Sequence, residues 1–232
     1  MIDLAVELDA LLATWRARRT TATAQLIDEL SSWVDLVLPD LDGKTRTQRH
    51  EAWLRRAQAR SAIELPALLA TVAQGTAAQT TEQLEVLADW PADPRTTRLA
   101  RRMFDSPPFA TSSGDQKVWR RLFDVIERHA DPRVLPAIEA GRMKRIFRSG
   151  DRGLAMQARA AAVVTSIEGV DVTLSADERA AHAAHAALTA RLASALESGR
   201  MLRDAVRLDE DDAPSRLVYL DWLMERGYAP PR

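Results

Sequence analysis

The chain contains two similar segments that end in the same four residues. Residues 84–95 read LEVLADWPADPR and residues 122–133 read LFDVIERHADPR, and the second segment lies 38 residues after the first without a gap. In each segment a short apolar run at helical spacing is followed by Ala-Asp-Pro-Arg. A period of about 40 residues is typical of proteins in which each repeat is one pair of helices and neighbouring repeats share a core. This duplication constrains the fold more than any other feature of the sequence.

The Asp-Pro pairs mark where the second helix of each repeat is predicted to begin. An aspartate side chain accepts hydrogen bonds from backbone N–H groups at the start of a helix, and proline is tolerated in the first turn because its missing N–H is not needed there. We therefore interpret Asp93-Pro94 and Asp131-Pro132 as helix-start signals, and their recurrence needs no functional explanation.

Helical periodicity dominates the rest of the chain. Apolar residues recur at helical spacing in residues 4–15 and 26–37, and Pro39 ends the second run, which predicts a helical hairpin over residues 3–38. No segment shows the apolar–polar alternation of a strand. Further helices are predicted over residues 45–60, 64–74, 154–167 and 175–196, with a last helix after Asp212.

Together these patterns predict an all-α fold. The predicted architecture is a HEAT-like helical-repeat solenoid with an N-terminal helical hairpin and a C-terminal capping helix. We expect an N-terminal helical region over residues 1–75, the repeats over residues 76–168, and a C-terminal helical region over residues 169–232.

The charges nearly cancel over the whole chain but are unevenly distributed. The net charge is -1, yet residues 81–160 hold 15 basic and 11 acidic side chains, whereas residues 161–232 hold 8 basic and 12 acidic ones. The chain has no cysteine, which excludes disulfides and thiol chemistry. The first residues are acidic where a signal peptide is basic, and no apolar run reaches the length of about 18 residues that a membrane span needs. We therefore expect a cytoplasmic protein with no membrane partner.

The C-terminal segment carries a specific motif. Residues 209–227 read DEDDAPSRLVYLDWLMERG, and this run resembles the bacterial repeat-companion domain family, whose pattern is close to DDAPRLVYADWLEERGD. The departures are the inserted Ser215, Leu220 for alanine, Met224 for glutamate and Tyr228 for aspartate. The resemblance covers about 30 residues and carries over no activity or binding residues. It implies a bacterial protein with a helical cap packed on the last repeat.

Several polar groups suggest chemistry but have a simpler interpretation. Glu178, His182 and His185 lie on one helical face and could approach a metal ion, but their alanine neighbours favour a packing surface. The acidic run over residues 209–212 lacks the spacing of a calcium loop and instead complements the dipole of the helix that follows. The glycines of residues 150–153 could form an anion-binding nest, but the segment more simply joins two helices.

Basic side chains provide the candidate binding residues. The densest cluster lies in residues 142–152 and includes Arg145 and Arg148, while Arg98 and Arg102 occur on the second helix of the preceding repeat. If the second helices stack, these arginines form one basic strip, although a solvated or internally paired arginine face is the simpler interpretation. With the connector between the repeats, the candidate partner-binding residues are Arg98, Arg102, Phe109, Arg145 and Arg148.

The sequence therefore predicts a non-catalytic adaptor or scaffold that binds another protein through a helical-repeat face. No nucleophile elbow, phosphate-binding loop, dinucleotide fingerprint or zinc-protease motif is present, so we expect neither an enzyme nor a cofactor. The alternative is a HEAT-like protein that binds nucleic acid through the basic strip.

Overall fold

The computed structural model describes residues 4–34, 45–109, 115–142, 150–168 and 213–225, together with helical positions 176, 179–180, 182–187, 190, 197, 199–202 and 204. The fold is all-α, as predicted, and the described residues contain no strand. The helices are α1 (Leu4–Ala17), α2 (Thr21–Val34), α3 (Arg46–Gln58), α4 (Leu65–Thr71), α5 (Ala77–Ala88), α6 (Thr96–Asp105), α7 (Asp115–His129), a 3₁₀ turn (Pro132–Val134), α8 (Leu135–Arg142), α9 (Gly150–Ile167) and α10 (Ala213–Glu225).

Threonines set the start of several helices. The side chains of Thr45 and Thr76 accept the backbone N–H groups of Gln48 and Gln79, and each glutamine side chain accepts the threonine N–H in return. These reciprocal bonds satisfy backbone donors that a helix start leaves without partners. In the same way Thr20 accepts the N–H of Thr23 at 3.2 Å, which closes the turn between α1 and α2.

The duplicated segments form two helix pairs that pack side by side. Helix α5 contacts α7, and α6 contacts α8, while α7 also contacts α9. Helices α6 and α8 are so close at Gly141 that a side-chain carbon added there would lie only 2.4 Å from the ring of Phe104. The shared core extends from Trp53 in α3 to Ile167 at the end of α9. Helices α3 and α4 are therefore part of the same hydrophobic core as the two pairs.

A second apolar cluster holds the two ends of the described chain together. The α1–α2 hairpin contributes most of its residues, and α10 contributes Tyr219 and Trp222. The Trp222 ring also covers Gly199, where an added side-chain carbon would lie 2.1 Å from it. The members of this cluster are Leu8, Leu11, Leu12, Trp15, Ala24, Leu26, Ile27, Leu30, Tyr219 and Trp222.

This arrangement corrects one prediction about the C-terminal motif. The motif does form a helix, but its buried aromatic residues lie against the N-terminal hairpin and not on the last repeat. Tyr219 and Trp222 share one apolar cluster with α1 and α2, and burying two large aromatic rings favours this position. The sequence shows that the helix is amphipathic but does not show which apolar surface it covers.

A second correction concerns residues 150–153. They were expected to join two helices, but α9 begins at Gly150 and continues through Gly153, which is buried. No loop remains there to act as an anion-binding nest. Among the described residues, no helix has the length and apolar character needed to cross a membrane.

Candidate partner-binding surface

Arg98, one of the predicted binding residues, connects α6 to α2. Its Nε lies 3.1 Å from Asp28 Oδ1, and its Nη2 donates to the backbone carbonyl of Asp28 at 3.0 Å. The side chain is still half exposed. The guanidinium therefore already has an internal carboxylate partner on the surface where a ligand was expected.

Arg102 lies one turn further along α6 and is bound to the end of α4. Its Nη2 donates to the carbonyls of Leu69 at 2.7 Å and Val72 at 3.2 Å, and its Nη1 donates to Ala70 at 3.3 Å. These carbonyls lie at the C-terminal end of α4, where a helix lacks its own donors and favours a positive charge. Burial lowers the pKa of Arg102. Arg102 thus acts as a cap that α6 supplies to α4.

The other predicted binding residues are Phe109, Arg145 and Arg148. Phe109 is partly buried, packs against the large core and has a left-handed backbone conformation with φ of 60°. Arg145 and Arg148 lie outside the described residues. The structure therefore places Arg98 and Arg102 on one helix, but it gives no position for the arginines that were expected to extend them into a strip.

The first Asp-Pro-Arg turn contains a fully buried ion pair. Asp93 accepts the backbone N–H of Arg95 at 3.0 Å and its guanidinium Nη2 at 2.6 Å. The remaining donors of Arg95 reach the hydroxyl of Ser31 at 3.1 Å and the carbonyl of Ala62 at 2.8 Å. Burial by itself raises the pKa of Asp93, but the charge and hydrogen bonds of Arg95 outweigh burial and hold that pKa below its usual range.

The second Asp-Pro-Arg turn repeats this geometry and connects it to the first. Asp131 accepts the backbone N–H of Arg133 at 3.1 Å and its Nη2 at 2.7 Å. Arg133 also donates to Asp28 Oδ2 at 2.7 Å and to the carbonyl of Pro94 at 3.3 Å, and Thr97 donates to Asp131 at 2.7 Å. The two turns and α2 therefore form one polar interface, which the sequence interpretation treated only as two helix starts.

The surface formed by α5, α7 and α9 has a different character. A network of five charged residues crosses α5, α7 and α9 in the order Glu85, Arg121, Asp124, Arg159 and Glu127. Arg121 lies 3.0 Å from Glu85 and 3.1 Å from Asp124. Arg159 lies 3.0 Å from Asp124 and 2.6 Å from Glu127. The guanidiniums of Arg121 and Arg159 are thus held in place on the two sides of a shared carboxylate.

A groove of about 380 Å³ lies along this network between α7 and α9. Four cationic side chains and a single carboxylate line it, and its apolar lining comes from α9. The carboxylates of the network balance Arg121 and Arg159, so the positive charge of the groove comes from Lys117 and Arg120. Lys117 and Arg120 are exposed and have no ion-pair partner among the described residues. The lining residues are Lys117, Arg120, Arg121, Asp124, Ala155, Met156 and Arg159.

A neighbouring groove of about 400 Å³ lies between α5 and α7 and has the opposite charge. Glu82 and Glu85 line it together with Ala77, Ala78 and Thr81, and Lys117 borders both grooves. The outer surface of α5, α7 and α9 therefore changes from acidic to basic over the width of one helix. No pattern in the sequence predicted this surface.

The histidines of residues 182–185 are interpreted above as part of a packing surface in preference to a metal site. Glu178 lies outside the described residues, His182 is partly buried, and His185 Nδ1 lies 3.5 Å from Glu7 Oε2 of α1. Within the described part of the chain, no three histidine, aspartate or glutamate side chains are close enough together to hold a metal ion. His185 thus contributes to the contact between the C-terminal helical residues and the N-terminal hairpin.

Comparisons with models of known protein families, with curated proteins and with solved structures found no match.

Proposed function

We propose that this chain is a non-catalytic protein–protein interaction module, an adaptor or scaffold built on HEAT-like helical repeats. The repeat part of the proposal is supported by two helix pairs that pack α5 on α7 and α6 on α8 and that begin their second helices with the same Asp-Pro-Arg turn. Stacked helix pairs of this kind form extended surfaces that bind partners. The resemblance of the C-terminal motif to the repeat-companion family is in keeping with a repeat protein.

The observation that carries the proposal is the difference between the Asp-Pro-Arg turns and the surface of α5, α7 and α9. The turns that precede α6 and α8 are covered by α2, whose Asp28 and Ser31 occupy the donors of Arg133 and Arg95. The surface of α5, α7 and α9 carries two adjacent grooves with oppositely charged linings. Helix α3 contacts this surface at α5, where His50 pairs with Glu82. Charged patches of this type select partners by electrostatic complementarity. We therefore assign the partner surface to α5, α7 and α9.

The alternative, nucleic-acid binding through a basic strip, has less support. Arg98 and Arg102 are bound to Asp28 and to the carbonyls of α4, so fewer of their donors are available for phosphates. A nucleic-acid-binding surface normally neutralises a run of phosphates with adjacent cations. The acidic groove next to the basic one interrupts such a run.

Affinity purification from the native host, with and without nuclease and followed by mass spectrometry, tests the proposal. We expect a discrete protein partner that is retained after nuclease treatment. Recovery of nucleic acid alone, or of proteins that are lost with nuclease, would instead establish the alternative. Turnover of a small molecule by the purified chain would overturn the non-catalytic part of the proposal.

A further inference from the structure

The groove between α7 and α9 has a chemistry that identifies the kind of ligand it fits. Lys117 and Arg120 project from α7 with no acidic partner among the described residues, and they are the cations in this groove that are available for new ion pairs. Arg121 and Arg159 are already oriented by Asp124, which lies 3.1 Å from one and 3.0 Å from the other. Arg121 also lies 3.0 Å from Glu85, and Arg159 lies 2.6 Å from Glu127, so each of these guanidiniums already has two carboxylate partners.

We propose that this groove binds an acidic segment of the partner protein, with the ligand's carboxylates paired to Lys117 and Arg120. The inference rests on the proposed function and adds the location and the chemistry of the contact. The carboxylates of the network already balance Arg121 and Arg159. The positive charge that remains on Lys117 and Arg120 matches a peptide rich in aspartate and glutamate.

The apolar lining of the groove adds a second requirement. Ala155 and the buried Met156 of α9 line it beneath the charged side chains, and methionine adapts readily to different apolar neighbours. The ligand should therefore combine acidic residues with an apolar side chain that contacts Ala155 and Met156. A volume of about 380 Å³ accommodates a few side chains of a peptide.

A phosphodiester backbone fits this surface less well than a peptide does. Beyond the groove, a continuous polyanion would meet Glu82 and Glu85 on the α5 side and Glu127 at the other end of the network. Like charges at these positions repel a strand that continues past the groove. A short acidic peptide can place its carboxylates within the groove and avoid both.

The test is selection of random displayed peptides on the intact chain, followed by binding measurements with the selected peptides. We expect enrichment of aspartate and glutamate near an apolar residue. The double substitution Lys117→Glu/Arg120→Glu should weaken binding of these peptides by about ten-fold or more, because charge reversal replaces attraction with repulsion. The matched control is Arg55→Glu/Arg101→Glu, which makes the same charge change at exposed arginines of α3 and α6 and should leave binding within about two-fold.

Selected peptides without acidic enrichment, or acidic peptides that bind Lys117→Glu/Arg120→Glu as tightly as the parent, would overturn the inference. Nucleic-acid binding would replace this inference under three conditions. A labelled DNA duplex or RNA would have to bind the parent, fail to bind the same variant, and not be displaced by any acidic peptide. Thermal melts of both variants establish that they are folded. If affinity purification still recovers a nuclease-resistant partner with Lys117→Glu/Arg120→Glu, the proposed function stands and only the assignment of this groove fails.

Discussion

The imidazole of His129 links the two helix pairs by accepting the backbone N–H of Asp93 on its Nδ1 at 2.8 Å. Its Nε2 lies 3.0 Å from the carbonyl of Leu87. Because Nδ1 accepts a hydrogen bond and Nε2 is the donor to a carbonyl, the ring is neutral in the folded protein. The end of α7 is thereby fixed to the end of α5 and to the Asp-Pro-Arg turn that follows it.

The neutral state of His129 predicts that stability depends on pH. Burial lowers the pKa of His129, while the unfolded chain takes up the same proton near its ordinary value of about 6.5. The stabilising contribution of neutral His129 is therefore complete above the pKa of the unfolded chain. It is lost as the pH falls below that pKa toward the lower pKa of the folded protein. Urea unfolding at a series of pH values between about 7.5 and 5 should show a falling free energy of unfolding.

The substitution His129→Gln separates this effect from other titrating groups. We expect it to cost about 1–3 kcal/mol at neutral pH, because buried partners lose hydrogen bonds, and to make the pH dependence shallower. His50→Gln is the matched control, since His50 pairs with the half-exposed Glu82 near the surface. If the free energy of unfolding of His129→Gln depends on pH as steeply as that of the parent, His129 is not the source of the pH dependence.

The two Asp-Pro-Arg turns should differ in their sensitivity to loss of the aspartate. Asp93→Ala leaves Arg95 buried with a side-chain exposure of 1%, so we expect a loss of about 3–5 kcal/mol. Asp131→Ala should cost less, because Arg133 keeps Asp28 and is partly exposed. The double substitution Asp93→Ala/Arg95→Met should recover part of the loss, because it removes the unpaired charge. Urea unfolding measures all of these variants, and equal losses for Asp93→Ala and Asp131→Ala would contradict this account.

Arg102 is expected to stabilise the fold whether or not it also contacts a partner. Arg102→Ala removes three donors from carbonyls at the end of α4, so we expect a loss of about 1–3 kcal/mol in the free energy of unfolding. Arg101→Ala, an exposed neighbour on α6, should change it by less than about 0.5 kcal/mol. If Arg102→Ala is as stable as the parent and still loses the partner, its role is in binding.

The position of the C-terminal motif is tested by Trp222. Trp222→Ala removes a ring that is 7% exposed from the cluster of the α1–α2 hairpin, and we expect a loss of about 3–5 kcal/mol. Hydrogen exchange should become faster in α1 and α2. Met224→Ala, at an exposed position on the same helix, should have little effect. Faster exchange confined to α8 and α9 would instead support packing on the last repeat.

Much of the fold could be predicted from local patterns. Apolar spacing placed α1 and α2 within a hairpin over residues 3–38. The Asp-Pro pairs predicted helix starts a few residues early, since α6 begins at Thr96 and α8 begins at Leu135 after a 3₁₀ turn. The start of α9 was predicted four residues late because Gly150 and Gly153 are weak helix formers whose cost the surrounding packing outweighs. The prediction of HEAT-like repeats stays a prediction that the stacked helix pairs support.

The candidate site was much harder to predict. Lys117, Arg120 and Arg121 have the spacing of one helical face, so their proximity was available from the sequence. Arg159 comes from α9, and nothing in its local sequence indicates that it shares Asp124 with Arg121. The groove exists because α7 packs beside α9, which is a contact between residues far apart in the chain.

The sequence by itself determined the helical segments and the repeated Asp-Pro-Arg segment, because each depends on residues a few positions apart. Only the tertiary structure decided which cations are bound internally and which remain available. Arg98 and Arg102 are matched to Asp28 and to the end of α4, whereas Lys117 and Arg120 have no ion-pair partner within the described residues. The difference arises because a charged side chain is satisfied by whatever group lies within a few ångströms of it in space, and packing of distant helices sets that group.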